Sequence, residues 1–216
     1  MRVAFFDFDH TLLCADSNQL WIDYLHEHGL LNAEHIARHA AFMRDYHQGN
    51  LDFTGLQTFR HAVDAAIEPD RLAACRATFS RDRLLAAVAP HAQALLDDLR
   101  RDHVLTMVVS ASREALVLPV ARHLGFEHVL AADSAAGKAI DAPCFGHGKI
   151  SHVEVVLAGL GASLAELDDS WFYSDSHNDL PLLEAVRHPV AVDPDPVLAQ
   201  VARQRRWRVI SLREST

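Results

Sequence analysis

The rhythm of apolar and polar positions changes twice along this chain. Residues 3–6, Val-Ala-Phe-Phe, form a short unbroken apolar run, the pattern of a strand buried on both faces, and it leads into Asp7-Phe8-Asp9-His10-Thr11. From about residue 16 to about residue 87 strand signal almost vanishes and helical spacing takes over. Four helical segments are separated by breaks near Gly29-Leu30, Gly49-Asn50 and Glu68-Pro69. Ile36, Ala40, Met43 and His47 keep that spacing in the second segment, and Leu56, Phe59 and Val63 in the third. Leu72, Phe79 and the pair Leu84-Leu85 keep it in the fourth. Four such segments in a row predict a helical bundle inserted into the chain.

Beyond Pro90 strands return in alternation with helices. A helix over residues 91–101 precedes the β-rich run 104–109, which stops at Ser110, and a second helix over residues 113–124 stops at Gly125. A short strand follows near residues 128–131, and residues 138–145 suit a small extended or hairpin excursion. A helix opens at Lys149, with Ile150, Val153 and Leu157 on one face. Strand 171–173 runs into Ser174-Asp175 and is followed by helix 179–186, strand 190–192, helix 196–203 and strand 208–210. This alternation predicts an α/β fold, a Rossmann-like, mainly parallel sheet with helices on both faces. Residues 1–15 and 88–216 form that core, and residues 16–87 form the inserted helical-bundle cap.

Composition narrows the functional classes. The length of 216 residues suits one large domain or a domain with an insertion. A formal charge of -9 and a pI of about 5.9 argue against a nucleic-acid or anionic-membrane partner. The one basic cluster, Arg203, Arg205, Arg206 and Arg208, reads as the solvated end of a helix, where cations suit the dipole. Cys14, Cys75 and Cys144 are widely spaced and make neither a disulfide framework nor a zinc signature. With no secretory signal or membrane-length apolar stretch, the expected location is the cytoplasm.

In a parallel sheet the site lies beyond the carboxyl ends of the strands. Three predicted strands end there in Asp7/Asp9, Ser110 and Asp175. On a strand, Asp7 and Asp9 at i and i+2 face one side, and two such carboxylates repel unless a cation shares the site. Asp175 and Asp179, with Asp7 and the Asp9 region, offer an oxygen-rich cage of the kind Mg2+ accepts. The competing reading is a helix N-terminus decorated with Asp, Ser and Asn caps. Lys149 is one of two lysines, the other being Lys138, and its place at a helix start opposes the dipole and points to a bound anion. Ser110 could offer its hydroxyl and backbone N–H to phosphate oxygens, although a turn serine is the commoner case.

Together these residues carry a resemblance over nearly the whole chain. Asp7-Phe8-Asp9-His10-Thr11, a strand-ending Ser110, the lone Lys149, and Asp175 with Asn178 and Asp179 resemble the four motifs of haloacid dehalogenase superfamily phosphatases. The helical cap after the first strand places the likeness in the phosphoserine phosphatase-like branch, subclass IB. The resemblance implies that Asp7 is a nucleophile that becomes an aspartyl-phosphate, with Asp9 as general acid and then base. It implies Mg2+ held by Asp7, the Asp9 carbonyl, Asp175 and Asp179, with Ser110 and Lys149 orienting the phosphoryl group. Asp9 favours phosphoryl transfer over dehalogenation, which does not need that acid.

A closing cap suits a small soluble phosphomonoester. In phosphoserine phosphatases a linker Glu holds the substrate's ammonium group; here Asp16 takes that position, followed by Ser17-Asn18, and Asn178 joins the expected substrate contacts. Arg38, Arg44 and Arg60 are candidates for a carboxylate clamp or for a solvated helix face. Tyr173-Ser174-Asp175-Ser176-His177-Asn178-Asp179-Leu180-Pro181 and the later Val192-Asp193-Pro194-Asp195-Pro196 also resemble histidinol-phosphate phosphatases, enzymes of amino-acid biosynthesis. Histidinol phosphate has the ammonium without the carboxylate and is preferred over phosphoserine. The alternatives are phosphoryl transfer to a small alcohol and a non-catalytic phosphoryl-ligand sensor. His35 and His39, four apart, read as a polar helix face rather than zinc ligands, and Trp21 and Tyr24 as cap core.

Overall fold

The protein is described by a computed structural model that covers residues 1–134 and 142–213. Its residues fall into two compact units, Met1–Ala15 with Ala87–Thr216, and Asp16–Ala86. The first unit is built on a six-stranded, all-parallel sheet. Its strands are β1 (Arg2–Phe6), β2 (Leu105–Val109), β3 (His128–Leu130), β4 (Asp169–Ser174), β5 (His188–Val192) and β6 (Arg208–Ile210), ordered β3-β2-β1-β4-β5-β6. The chain therefore winds outward from β1 to one edge, then returns to the other side of β1 and winds outward again. The reversal lies between β1 and β4, where such sheets open a crevice at their carboxyl ends.

Strand β1 is central because its sequence tolerates no water. Val3, Ala4, Phe5 and Phe6 are each fully buried. On one face Val3 and Phe5 join Met107, Val109, Phe172, Val153 and Leu157 in a single core cluster. On the other, Phe6 stacks on Tyr173 at 4.5 Å and meets the edge of Phe126 at 5.7 Å. Removing a phenylalanine from such a position costs about 3–5 kcal/mol. The sheet is flanked by α5 (Ala92–Arg101), α6 (Glu114–His123), α7 (Gly148–Gly159), α8 (Leu180–Ala185) and α9 (Pro196–Arg205). The expected excursion over residues 138–145 lies largely outside the described residues.

The second unit holds α1 (Ser17–Glu27), α2 (Ala33–His47), α3 (Phe53–Ala65) and α4 (Pro69–Phe79). Each begins with a side chain that accepts from orphan N–H groups: Asp16, Asn32, Asp52 and Glu68 respectively. Gly29 and Gly49, at φ 67° and 73°, take left-handed conformations where α1 and α2 end. Trp21 and Tyr24 pack on Phe79 at 5.0 and 5.3 Å, so they belong to the core of this unit. His39 corrects the reading of a polar helix face. It is buried beside Phe59, with Nδ1 3.2 Å from Gln19 Oε1, and burial holds its pKa below the usual value. Of the three candidate arginines, Arg60 is buried whereas Arg38 and Arg44 are exposed.

The basic cluster behaves as a helix end. Arg203 and Arg205 lie in the last turn of α9, with Arg205 pairing to Glu184 at 2.6 Å. Arg206 and Arg208 line a shallow cavity of about 420 Å³ with Trp171, Arg187, His188 and Trp207. Its two indoles already carry neighbours: Arg2 and His188 at 5.3 and 4.9 Å from Trp171, and Arg205 at 5.2 Å from Trp207. Among the described residues no helix is long and apolar enough to cross a membrane.

Candidate active site

The carboxyl ends of β1, β2 and β4 bring the motif residues together. Strand β1 stops at Phe6, so Asp7 is the first residue beyond it, held by its N–H donating to Tyr173 O at 2.9 Å. The chain then turns: Phe8 drops into the core, and its carbonyl accepts from Leu12 and Leu13 N–H at 2.9 and 3.0 Å. His10 closes the turn at φ 57°, a left-handed conformation that histidine tolerates better than most residues. Asp9 thus sits on a turn rather than on strand alternation, and is half-buried.

Lys149, in the first turn of α7, is buried to 2% exposure. Its Nζ donates to Asp7 Oδ1 and Asp179 Oδ2, both at 2.7 Å, and lies 5.5 Å from the Phe172 ring centre. An ammonium has three donors, so one remains for an incoming anion. Burial alone disfavours the ammonium, but Asp179 and Asp7 together override it and hold the Lys149 pKa above its ordinary value. The helix start that looked unfavourable for a cation is occupied because two carboxylates converge there.

Asp179 ends the short 3-10 turn His177–Asp179, and its Oδ2 also accepts from Ser174 Oγ at 2.7 Å. Burial raises its pKa to about 6, with Lys149 opposing the rise and Asp7 adding to it. Asp175 follows β4, where Thr11 Oγ1 donates to its Oδ1 at 3.1 Å and accepts from its N–H at 3.0 Å. Burial, then Asp7 and Asp179, push the Asp175 pKa well above the usual carboxylate range. The Asp175 carbonyl accepts from Asp195 N–H at 2.8 Å, and Asp195 in turn holds the His177 N–H and ring.

Ser110 follows β2. Its backbone N–H donates to Leu130 O at 2.8 Å in continuation of the β2–β3 ladder, which corrects the expectation that this N–H serves a phosphate. Its hydroxyl oxygen accepts from Ser112 N–H at 3.0 Å, leaving the hydroxyl proton to be donated elsewhere. Ser112 Oγ donates to Asp9 Oδ2. Asn178 lies in the turn before α8 and donates its N–H to Ser176 Oγ at 3.2 Å. Asp16, in the helical unit, caps α1 by accepting from Gln19 N–H at 2.8 Å.

The site therefore assembles Asp7, Lys149, Asp175 and Asp179, with Asp9 tied to the Ser110–Ser112 turn. Sequence reasoning assigned no role to Thr11, Ser112, Ser174 or Asp195. Thr11 was visible within the first motif, while the serines and Asp195 have the ordinary signature of turns and caps. Two carboxylates bonded to one ammonium, with Asp175 repelled by both, leave a surplus of negative charge carried on hard oxygens, a set that suits Mg2+. Among the described residues no three His, Cys, Asp or Glu side chains cluster tightly enough to enclose a metal by themselves. A cation sharing its shell with water and phosphate oxygens has no need of such an enclosure. Cys144 nearby is no nucleophile, since burial pushes its thiol up to about 12.

A sequence model of the haloacid dehalogenase-like hydrolases matches residues 4–184. A histidinol-phosphatase of Neisseria meningitidis serogroup C is 32% identical over 220 residues, covering 98% of this chain and 99% of that protein. Among solved structures, a Bordetella pertussis Tohama I protein of unknown function superposes with a TM-score of 0.86 at 35% identity, over 98% of each chain. A substrate-bound phosphoserine phosphatase superposes with a TM-score of 0.64 at 13% identity, over 99% of this chain and 93% of that one, a likeness of fold. With its motif residues gathered at the switch point of a parallel sheet, the chain belongs to the haloacid dehalogenase-like hydrolase family and is one of its phosphatases.

Proposed function

We propose that the protein is a Mg2+-dependent phosphomonoesterase that works through an aspartyl-phosphate on Asp7, with histidinol phosphate as its substrate. The observation that carries the mechanism is Lys149 bridging Asp7 and Asp179 at 2.7 Å each beyond the β1 and β4 ends. Such a buried ammonium fixes the Asp7 carboxylate at the strand end, where it is the proposed attacking group. One Asp7 oxygen bonds to phosphorus as the ester P–O bond breaks, and Asp9 delivers its proton to the leaving alkoxide. Asp9 then takes a proton from the attacking water, and phosphate leaves Asp7. Lys149 and the Ser110 hydroxyl hold the phosphoryl oxygens while charge shifts. Asp7, the Asp9 carbonyl and Asp175 are the proposed ligands of Mg2+, with Asp179 acting directly or through water. The ion, when bound, offsets the carboxylate surplus and polarises the phosphoryl oxygens.

The substrate reading rests on the histidinol-phosphatase relative, whose likeness spans almost all of both chains. Asp16 is the proposed carboxylate for the substrate ammonium, and Asn178 a further contact. Phosphoserine is the second reading, favoured by Arg60, the buried one of the three arginine candidates. The three free cysteines favour a reducing compartment, the cytoplasm. Assay of phosphate release from histidinol phosphate, phosphoserine and an aryl phosphate tests these points together. Activity is expected to vanish with a chelator and in Asp7→Asn. Turnover that survives either treatment rules out the mechanism, and a preference for phosphoserine replaces the substrate.

A further inference from the structure

We infer that Ser112 is the positioning residue for Asp9, holding the carboxyl group that moves protons in both halves of the reaction. This rests on the proposed function and adds to it a residue outside the four motifs. Ser112 is 2% exposed, and its hydroxyl donates to Asp9 Oδ2. Its backbone cannot drift: the N–H donates to Ser110 Oγ at 3.0 Å, and the carbonyl accepts from Ala132 N–H at 2.9 Å. The loop after β2 is thus pinned from the β3 side, and it presents the Ser112 hydroxyl to the turn after β1.

The chemistry of the two aspartates explains why a hydroxyl is used. Asp7 must stay an anion until it bonds to phosphorus, and its partner is an ammonium, which can only donate. Asp9 must lose a proton to the alkoxide and regain one from water. A hydroxyl donates to the carboxylate and, after turning about its C–O bond, accepts from the carboxylic acid. Ser112 can therefore stay bonded to Asp9 in both protonation states without a change in its backbone. Because Ser112 N–H occupies Ser110 Oγ, the same turn aims the Ser110 proton away from Ser112. The phosphate donor and the proton carrier are set by one piece of chain.

The test compares Ser112→Ala, Ser112→Thr and Asp9→Asn on two esters: p-nitrophenyl phosphate, whose leaving group needs no proton, and an alkyl phosphate, whose leaving group does. Ser112→Ala is expected to lower kcat on the alkyl ester by about 10–100-fold, the usual effect of removing an orienting partner, with little change in KM. On the aryl ester it should show a burst of p-nitrophenol followed by slow turnover, because only the water step still depends on Asp9. Ser112→Thr, which keeps the hydroxyl, should behave as the wild type. If Ser112→Ala does not fold, Ser112→Cys, with a weak hydrogen-bonding group, gives the same contrast. Equal loss on both esters without a burst, while Asp9→Asn does split them, overturns the role of Ser112. Absence of any split in Asp9→Asn overturns instead the assignment of Asp9.

Discussion

Thr11 shows how one hydroxyl joins two distant turns. Its Oγ1 accepts from Asp175 N–H at 3.0 Å and donates to Asp175 Oδ1 at 3.1 Å, tying the end of β4 to the turn after β1. Thr11 itself is 1% exposed. Thr11→Val keeps the shape and removes both bonds, leaving the half-buried Asp175 N–H and carboxylate without that partner. The expected cost is about 1–3 kcal/mol, read as a lower urea midpoint with an unchanged slope; an unchanged midpoint would show that the pair is not a structural tie. At this scale legibility followed chemical rarity. Lys149 stood out because lysine is scarce in this chain and unfavourable at a helix start, which pointed to an anion there, although the anions it meets, the Asp7 and Asp179 carboxylates, were not named as its partners. Ser112 did not, because a serine in a loop after a strand has a local explanation, whereas its partner lies 103 residues away.

Helix α9 joins local structure to the site at the scale of an element. Asp195 caps it, its Oδ1 accepting from Val197 and Leu198 N–H at 2.8 Å each, while Oδ2 accepts from the His177 backbone and ring. Burial alone would raise its pKa, but the Leu198 and His177 donors override it and hold it below the usual value of 3.8. A depressed folded pKa means stability fully present above about pH 4 and lost as the pH falls through the lower folded value. Asp195→Ala should therefore cost about 1–2 kcal/mol at pH 7, and the wild-type and variant stability curves should converge as the pH falls through the lowered folded value. Parallel curves down to that value would remove the carboxylate from the account. The elements themselves were legible because caps and glycines punctuate the sequence: Asn32, Asp52, Glu68, Gly29 and Gly49 stand where helices begin or end. The burial of His39 was not, since periodicity reports which residues share a face and not which polar one finds a partner there. Nor was the end of β1 at Phe6, since Asp7 still extends the hydrogen-bond ladder to Tyr173 O.

Across the molecule, stability and chemistry oppose each other at the switch between β1 and β4. The apolar strands that make β1 central also fix the ends from which Asp7 and Asp175 project, and Asp179 is fixed by the turn that follows β4. Burial and mutual repulsion push Asp175 well above the ordinary carboxylate range, as expected of a group that weakens the metal-free fold when charged. Asp175→Asn keeps the shape and an acceptor for Thr11 while removing one negative charge. The metal-free variant should unfold higher than wild type by about 2–4 °C, on the order of 1 kcal/mol for a chain of this length, and it should be inactive. Mg2+ at about a hundred times its Kd should add about 2.7 kcal/mol to the wild type. That is a rise of about 5–10 °C by the same conversion. Asp175→Asn should show little of this rise. Calorimetry of both proteins with and without Mg2+ decides the matter. A variant that unfolds below the wild type without metal would mean that Asp175 is not a source of repulsion, and one that gains as much from Mg2+ would mean that it is not a ligand.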